Sequence, residues 1–342
     1  MVNIMRNPPK SSQPVSIAFL LLPQFSNLCL SNALEPLRAA NGYATRRAYD
    51  WQFVSLDGQP VRSSSGMAVM PDCALADLAA VDRFYVIASY GHLDADTPDL
   101  RRALRFAARR AGQVFGFDTG AWHMAAAGLL NGRKATVHWD VLEAFSERFL
   151  DVQVVQALWV EDGDMLTCAG ASATVDLSRH LIAKDISPAI ALDVEALFTP
   201  PAQQDATQSP HSLLSRATRV MRDHLETPLP LADLAARLNT SPRTLSRRCE
   251  ANLGLSPGQL YRHIRLSAAR QLVEGSALSV SEIAIRCGYD NPSAMTRAFR
   301  ERFGAPPRAF RGDTASKLTQ PRLFNRAQTL PMSDRLGRLY AT

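Results

Sequence analysis

Two sets of polar residues, separated by fifty positions, have the chemistry to contact nucleic acid. The sets are Arg243, Ser246 and Arg247, and then Ser293, Thr296 and Arg297. A guanidinium group can donate two parallel hydrogen bonds to a base edge or hold a phosphate, and short hydroxyl side chains fit beside it in the major groove. Spacings of three and four residues place each set on one face of a helix. Each set is therefore a candidate surface for base and phosphate contacts.

Each set lies on the second helix of a unit that the sequence contains twice, at 231–257 and at 281–307. Each unit is predicted to contain two short helices joined by a tight turn. The second helix begins after a capping residue, Ser241 or Asn291, which is followed by a proline at the first helical position. Apolar residues at four-residue spacing predict a buried stripe on the opposite face. The stripe consists of Leu245, Cys249 and Leu253 in the first unit and of Met295, Phe299 and Phe303 in the second.

A longer helix that starts at Ser256-Pro257 and ends near Gly275 is predicted to connect the two units. Its role would be to hold the two second helices about 34 Å apart, the separation at which they enter successive major grooves. Ser279 and Glu282 have the spacing of a capping box and predict the start of the next helix.

The charge distribution favours DNA binding over a helical repeat whose arginines are only solvated. Residues 212–311 contain sixteen arginines, no lysine and eight acidic residues, whereas residues 1–211 have a net charge of −5. The net charge of +6 for the whole chain therefore conceals a basic third joined to an acidic two-thirds. A solvated face usually mixes charges of both signs, and here one sign dominates where the duplicated unit lies.

Residues 212–311 resemble the DNA-binding domain of the AraC/XylS family of bacterial transcription regulators. The first unit contains A-x-R-L-x-x-S-x-R-T-L-x-R, and the second contains I-A-x-x-C-G-Y-D-N-P-S-x-x-T-R-A-F-R-x-x-F-G-x-x-P. The resemblance implies that the two polar sets contact double-stranded DNA. Because Pro292 and Ala294 cannot donate side-chain hydrogen bonds, base readout by the second unit is expected to be narrow.

The rest of the composition is that of a globular protein of the reducing cytoplasm. The 342 residues are enough for two domains with separate cores. The longest early apolar run, at 17–22, is closed by Pro23 and is too short to cross a membrane. The five cysteines contain no C-x-x-C pair, and the histidines form no metal-binding pattern. We therefore expect no disulfide, metal, cofactor or membrane anchor.

From Val15 onward, apolar runs of strand length alternate with helical stretches. The predicted strands are 16–22, 51–55, 83–89 and 113–117, and the predicted helices are 31–40, closed by Asn41-Gly42, then 98–111 and 121–130. This alternation predicts an α/β domain with a parallel sheet covered on both faces. The predicted organisation is a disordered tail (1–14), the α/β domain (15–198), a proline-containing linker (199–211), an all-α domain with the two helix-turn-helix units (212–311) and a basic flexible tail (312–342).

A sharp turn between a predicted strand and a predicted helix, at Asp118-Thr119-Gly120, is the candidate ligand site of the α/β domain. In an open parallel sheet, ligands bind beyond the carboxyl ends of the strands, where such a turn lies. The alternative is that Asp118 only caps the following helix.

This turn resembles the nucleophile elbow of the PfpI-protease and class I glutamine-amidotransferase-like superfamily, and the likeness extends over residues 15–198. It is also carried by N-A-L-E-P-L at 32–37, A-T-V-H-W at 135–139 and G-A-S-A-T-V-D at 170–176. The resemblance implies a flavodoxin-like parallel sheet. Those enzymes place a cysteine at the elbow, because a thiolate at a helix N-terminus is an activated nucleophile. Asp118 stands at that position here, which implies that catalysis has been lost.

The combination of the two domains is similar to the GlxA-type branch of AraC-family regulators, whose first domain senses a small metabolite and often dimerises. The ligand-binding residues that this resemblance implies are Glu35, Asp118, Trp122, His138 and Trp139. Carboxylates beside tryptophan faces suit a cationic amine. The resemblance implies betaine, carnitine or an arginine-like compound as that amine. The structural alternatives are that both tryptophans and His138 pack in the core and that Glu35 only precedes a proline kink.

The expected function is sequence-specific transcriptional regulation, with activation as the expected sign. The expected partners of a cytoplasmic homodimer are double-stranded DNA, a small-molecule effector and RNA polymerase. The alternative is an amidase or protease-like enzyme with an attached DNA-binding module. Because Asp118 replaces the catalytic cysteine, the sequence favours the regulator, which is not an enzyme.

Overall fold

The computed structural model of this chain describes residues 13–198 and 213–311. The predicted linker at 199–211 and the predicted tail at 312–342 lie outside these residues, as does the predicted N-terminal tail except for its last two positions. The described residues form an α/β domain followed by an all-helical domain, as predicted. None of the helices in these two ranges is long and apolar enough to cross a membrane.

A seven-stranded sheet forms the centre of the first domain. The strands of the described residues are β1 (Val15–Leu21), β2 (Tyr49–Ser55), β3 (Val61–Arg62), β4 (Ala68–Val69), β5 (Cys73–Ala74), β6 (Val81–Ile87), β7 (Ala111–Phe117), β8 (Lys134–Ala135), β9 (Gln153–Val154), β10 (Trp159–Asp162) and β11 (Met165–Cys168). The order in the main sheet is β10-β11-β7-β6-β1-β2-β5, and β3-β4 and β8-β9 form separate pairs. All neighbours in the main sheet are parallel except the edge pair of β10 and β11.

The order of the parallel strands creates a crevice at the carboxyl ends of the central strands. β1 pairs with β2 on one side and with β6 on the other, so the connections that leave β1 and β6 run in opposite directions. Such a reversal opens a crevice beyond the carboxyl ends of the strands, where ligands of flavodoxin-like sheets bind. The turn at 118–120 follows β7, which pairs with β6. The fold therefore places this turn at the carboxyl ends of the strands, where a ligand site is expected.

Helices cover both faces of the sheet. They are α1 (Asn27–Tyr43), α2 (His92–Ala95), α3 (Pro98–Ala108), α4 (Gly120–Ala126), α5 (Leu142–Arg148), α6 (Ala171–Asp185) and α7 (Pro188–Phe198). Because side chains alternate along a strand, Leu20 and Val86 lie in an apolar cluster with α3, α4 and α5. Phe19 and Tyr85 lie in the opposite cluster with α1, α6 and α7. Burial on both faces explains the continuous apolar runs of the central strands.

The predicted ends of three helices are wrong. α1 continues past Asn41-Gly42 to Tyr43, because the Asn41 side chain accepts hydrogen bonds from the backbone of Ala48 and Tyr49 instead of ending the helix. α3 ends at Ala108 because β7 already begins three residues later. α4 is shorter than predicted because Gly128 adopts a left-handed φ of 78°.

The second domain contains two helical units that share one long helix. Its helices are α8 (Leu213–Asp223), α9 (Leu231–Arg237), α10 (Pro242–Leu253), α11 (Pro257–Gly275), α12 (Val280–Arg286) and α13 (Pro292–Phe303). One apolar cluster joins α8, α9 and α10 to the first half of α11, and another joins α12 and α13 to its second half. The predicted connecting helix is confirmed, and Ser279 and Glu282 form the predicted capping box.

The tight turn of each unit contains one residue in the left-handed conformation. In the first unit it is Asn239, with a φ of 53°, and in the second it is Gly288, with a φ of 70°. A Cβ atom added at position 288 would lie 2.4 Å from the carbonyl oxygen of Leu225. Glycine is therefore required in the second turn both for its backbone conformation and for this close approach.

Candidate DNA-reading surface and effector site

The second helices of the two units, α10 and α13, begin with the predicted capping interactions. Ser241 caps α10 by accepting a hydrogen bond from the backbone N–H of Thr244, and Asn291 caps α13 by accepting one from Ser293. A proline occupies the first turn of each helix, and each helix ends at a glycine with a left-handed φ. The local sequence thus fixes where both helices begin and end.

The predicted apolar stripe anchors each of these helices in its own core. Its members are Leu245, Cys249, Met295 and Phe299, which are fully buried, and Leu253 and Phe303, which are less than a tenth exposed. Because one face of each helix is committed to the core, the opposite face is directed to solvent.

The residues of the two polar sets lie on these outer faces. Arg243, Arg247, Ser293 and Arg297 are exposed, and Ser246 and Thr296 are half-buried at the edges of the faces. On α13, the members of the second set line one surface groove together with Pro292, Arg300 and Glu301. Sequence reasoning missed Arg300, although it stands three residues after Arg297 on the same face.

The arginines of this domain fall into two groups. The first group holds the fold through hydrogen bonds or ion pairs, and it includes Arg216, Arg222, Arg262, Arg265, Arg270 and Arg302. In the second group, no hydrogen bond or ion pair to any residue of 13–198 or 213–311 engages the guanidinium group. This group includes Arg243, Arg247 and Arg248 on α10 and Arg297 and Arg300 on α13. The outer faces of α10 and α13 therefore present unpaired positive charge.

In the first domain, Asp118 occupies a strained turn between β7 and α4. Its φ of 59° is uncommon for a residue with a side chain, although aspartate tolerates it better than most. A Cβ atom at Gly116 would lie 2.7 Å from the backbone nitrogen of Ala121, and one at Gly120 would lie 2.3 Å from the carbonyl oxygen of Val86. The two glycines therefore allow the helix to start directly against the sheet, which is the geometry of an elbow.

Segments from the ends of three elements hold this turn. The backbone N–H of Asp118 donates to the carbonyl of Cys168, at the end of β11, with a distance of 2.9 Å. The carbonyl of Asp118 accepts from the backbone N–H of His138 at 3.3 Å. The Thr119 hydroxyl donates to the carbonyl of Ser89, after β6, at 2.7 Å. The position of the Asp118 side chain is therefore determined by long-range backbone contacts.

Asp118 is buried, with 7% of the residue exposed. Burial raises its pKa above the ordinary value of aspartate, and the neighbouring His138 and the Ser89 side chain only partly oppose this effect. A buried carboxylate that lacks a full counter-charge is stabilised by an approaching cation. The electrostatics of the turn therefore suit a positively charged ligand group.

Two of the predicted ligand-binding residues, His138 and Trp139, follow the backbone hydrogen bond between His138 and Asp118. Nδ1 of His138 accepts a hydrogen bond from the backbone N–H of Asp140 at 3.3 Å, so a neutral ring carries its proton on Nε2. A Cβ atom at Gly170 would lie 3.0 Å from the imidazole ring, so glycine makes room for it. Trp139 is 73% exposed, and its ring centroid lies 5.2 Å from that of His138. An exposed indole thus lies beside the imidazole ring of His138.

The structure does not bring Glu35 to this carboxyl group. Glu35 pairs with Arg38 at a distance of 2.7 Å on the partly exposed side of α1. The α1 residue whose thiol is affected by the charge of Asp118 is Cys29, which lies six positions earlier. Six residues correspond to a rotation of about 240° around a helix, so Glu35 points in a different direction.

Trp122 is also placed away from the ligand side of the turn. Its side chain is only 3% exposed and packs against Phe145 and Phe149, with ring centroids 6.0 and 5.2 Å away. The Trp122 ring belongs to the apolar cluster beneath α3, α4 and α5. Trp122 therefore packs in the core, which is the structural alternative given above for the tryptophans.

Two cysteines that sequence reasoning did not select lie near Asp118. Cys29 and Cys168 approach the hydroxyl of Thr174 at 3.4 and 3.6 Å, and the charge of Asp118 acts on both thiols. Burial raises the pKa of both, to about 11 for Cys168. Because these residues are far apart in sequence, no local motif could have indicated their proximity. Neither thiol has the lowered pKa of an activated nucleophile.

Comparisons with known proteins agree with this two-domain architecture. Residues 15–184 match the model of the DJ-1/PfpI family, and residues 234–313 match that of a helix-turn-helix domain. The HTH-type transcriptional regulator CdhR of Pseudomonas aeruginosa is 38% identical over 84% of this chain and 89% of its own length. The regulator GlxA of Rhizobium meliloti is 32% identical over 88% of this chain and 96% of its own length. An isonitrile hydratase of Pseudomonas putida is 28% identical over 66% of this chain and 98% of its own length.

These matches define a class of transcriptional regulators in which a DJ-1/PfpI domain precedes a helix-turn-helix domain. Within that class, the chain belongs to the AraC-type regulators of the GlxA kind. The predicted family and the predicted fold class are both confirmed.

Proposed function

We propose that this protein regulates transcription by reading DNA with α10 and α13, under the control of a small cation that binds at Asp118. The observation that carries the proposal is the separation of the arginines into two groups. In the second domain, several arginines are used to hold the fold, yet five on the outer faces of α10 and α13 have no protein partner among the described residues. Unpaired guanidinium groups on capped, exposed helix faces are what phosphates and guanine edges require.

The connecting helix supports simultaneous reading by both units. α11 contains 19 residues and is therefore about 28 Å long. A rigid spacer of this size is comparable to the separation of about 34 Å between successive major grooves on one side of the duplex. The proposal includes Arg243, Ser246 and Arg247 as the contacts of α10, and Ser293, Thr296 and Arg297 as those of α13. We extend it to activation by a homodimer that contacts RNA polymerase.

The effector part of the proposal relies on the environment of Asp118. Three observations support it: Asp118 is buried, the backbone N–H of His138 donates to the Asp118 carbonyl, and the exposed indole of Trp139 lies beside the His138 ring. The carboxylate and the indole both attract a quaternary ammonium or guanidinium group. The proposed ligand contacts are therefore Asp118, His138 and Trp139, and the ligand class is a cationic amine such as betaine, carnitine or arginine.

The similarity to an isonitrile hydratase supports one alternative, an enzyme that acts on amides or isonitriles. A carboxylate at the elbow cannot perform thiolate chemistry, and the nearby thiols of Cys29 and Cys168 are protonated at neutral pH because burial raises the pKa of both. These features support a binding site without catalysis. Amide or isonitrile turnover by the full-length protein, abolished in Asp118→Ala, would instead establish an enzyme.

Selection of DNA from a random-sequence pool tests the proposed function. The full-length protein at moderate salt is expected to enrich one sequence, and Arg247→Ala and Arg297→Ala are each expected to reduce the enrichment. Calorimetric titration with betaine, carnitine and arginine tests the effector class on the same preparation. A protein that retains its fold and enriches no sequence, with or without these amines, would refute the regulator.

A further inference from the structure

α7, the last helix of the first domain, packs against both domains. Ala191 and Val194 lie in the apolar cluster with α1 and α6. Ala189 is instead buried in the cluster of the first helix-turn-helix unit, and Leu192 packs against that cluster. α7 therefore contacts both the core of the first domain and the core of the first helix-turn-helix unit.

Asp193, one of the two acidic residues of this helix, makes the contacts that extend beyond the first unit. Its side chain is 4% exposed, and three donors converge on its Oδ2 atom. Nε2 of His263 lies 2.7 Å away, the Ser267 hydroxyl 2.9 Å and Nη2 of Arg302 3.1 Å. The charges of His263 and Arg302 outweigh the effect of burial and keep the pKa of Asp193 below its ordinary value, so the group is a carboxylate.

The donors to Asp193 come from two elements of the DNA-binding domain. His263 and Ser267 stand on the connecting helix α11, four residues apart, and therefore on one face. Gln271, four residues further, donates to the Tyr43 hydroxyl at the end of α1 with a distance of 3.0 Å. A polar stripe of α11, from His263 to Gln271, thus contacts the first domain.

Arg302 extends the cluster to the second reading helix. It belongs to the last turn of α13, on the side opposite the reading face, and its side chain is 15% exposed. Besides Asp193, its guanidinium group donates to the His263 carbonyl at 2.8 Å and to the Ser267 hydroxyl at 3.0 Å. The carboxylate therefore joins α13 to α11, because it contacts Arg302 on one helix and His263 and Ser267 on the other.

We propose that Asp193 is a positioning residue for DNA reading, because its carboxylate fixes the second reading helix α13 relative to α10 through Arg302. The inference rests on the proposed reading role of α13. The first unit is held against α7 by the apolar contacts of Ala189 and Leu192. In the part of the chain that the structure describes, the hydrogen bonds between α7 and α13 run through Arg302 alone. Loss of the carboxylate should therefore disturb the second reading helix and leave the first in place.

The experiment compares footprints of full-length variants on the duplex that the wild-type protein enriches from a random-sequence pool. Arg247→Ala and Arg297→Ala first assign the protected positions to α10 and to α13. Asp193→Asn is then expected to lose the protections that Arg297→Ala loses, to keep those that depend on Arg247, and to bind at least about tenfold more weakly. Arg302→Lys retains the charge but not the forked geometry, and it is expected to give an intermediate loss at the same positions.

Asp185→Asn is the matched control. Asp185 forms a bidentate pair with Arg83, with both distances 2.7 Å, in the interior of the first domain. This variant removes a buried carboxylate of the same domain, so it should lower the melting temperature while the footprint stays complete. If Asp193→Asn does not fold, Ser267→Ala and Arg302→Lys carry the test, because each removes only part of the cluster.

Two results would overturn the inference. One is a complete footprint with wild-type affinity in folded Asp193→Asn and Arg302→Lys. The other is an equal loss of protection at both sets of positions, which would indicate a general loss of structure. Failure of the wild-type protein to enrich any sequence is a different outcome, because it contradicts the proposed function itself.

Discussion

Replacement of Asp118 by asparagine should make the protein more stable and less responsive to its effector. Asp118 is buried, and burial raises the pKa of its carboxyl group, so the ionised form is disfavoured in the folded state. Asparagine removes the charge, keeps the shape and tolerates the φ of 59° as well as aspartate does. The substitution therefore isolates the charge from the backbone conformation of the turn.

The expected stabilisation has a definite dependence on pH. Because the folded-state pKa of Asp118 is raised, its contribution to stability is complete below the unfolded-state value of about 4 and is lost as the pH rises through the folded-state value. The melting temperature of Asp118→Asn should thus exceed that of the wild type near pH 7, and the difference should disappear in acid. Each kcal/mol gained corresponds to about 2 to 4 °C for a domain of this size.

The expected loss of ligand affinity follows from the same charge. A hydrogen bond to a charged group contributes about 1.5 to 3 kcal/mol, which corresponds to a factor of about 10 to 150 in the dissociation constant of a cationic amine. Calorimetry with betaine, carnitine and arginine measures this factor, and thermal unfolding between about pH 4 and 8 measures the stability. Asp118→Ala is the control for backbone strain, since alanine is disfavoured at this φ. A melting temperature below that of the wild type near pH 7, with unchanged amine binding, would refute this account of the site.

Three further substitutions test other parts of the structure. If Arg247 reads a base, Arg247→Ala is expected to cost about 1 to 3 kcal/mol of specific DNA binding. If it holds a phosphate, the slope of log affinity against log salt concentration should fall by about one. Wild-type affinity and slope would exclude both roles. Gly120→Ala should destabilise the first domain by about 1 to 3 kcal/mol in denaturant unfolding, because its Cβ would lie 2.3 Å from the Val86 carbonyl oxygen. Trp139→Ala should change stability by less than about 0.5 kcal/mol, since the ring is 73% exposed, while amine affinity falls by about 0.5 to 2 kcal/mol in calorimetry. An unchanged amine affinity would remove Trp139 from the site.

The second domain could be predicted from sequence because its signals are local. A capping residue, a proline at the first helical position and four-residue apolar spacing identify α10 and α13 within a window of twelve residues each. The same pattern also separates the buried face from the outer face. This is why all six predicted DNA-contacting residues lie outside the apolar core.

The surroundings of the proposed effector site could be predicted only in part. The turn at Asp118 has a local signal, since a buried strand and small residues precede a helix. The neighbours of its carboxyl group, in contrast, depend on which helix face meets the sheet. In the structure, Glu35 pairs with Arg38, and Cys29 lies near Asp118 instead. No residue spacing in the sequence indicates which face of α1 meets the sheet.

The Asp193 cluster shows the same limit between domains. Its hydrogen bonds join residues 70 to 109 positions apart across the predicted linker. An aspartate in the apolar helix α7 is a visible exception in the sequence, but its partners become known only when both domains are folded. Polar contacts between residues so far apart in sequence cannot be predicted from local sequence patterns.

Genome-wide mapping of the sites bound by the full-length protein, with and without betaine, carnitine or arginine, tests the central claim most directly. The account predicts a small set of discrete sites that share two half-sites about one helical turn apart, and occupancy that changes with one of these amines. It also predicts that a variant with both Arg247→Ala and Arg297→Ala loses these sites. Uniform binding along the chromosome, unchanged by the amines and by the double substitution, would contradict it.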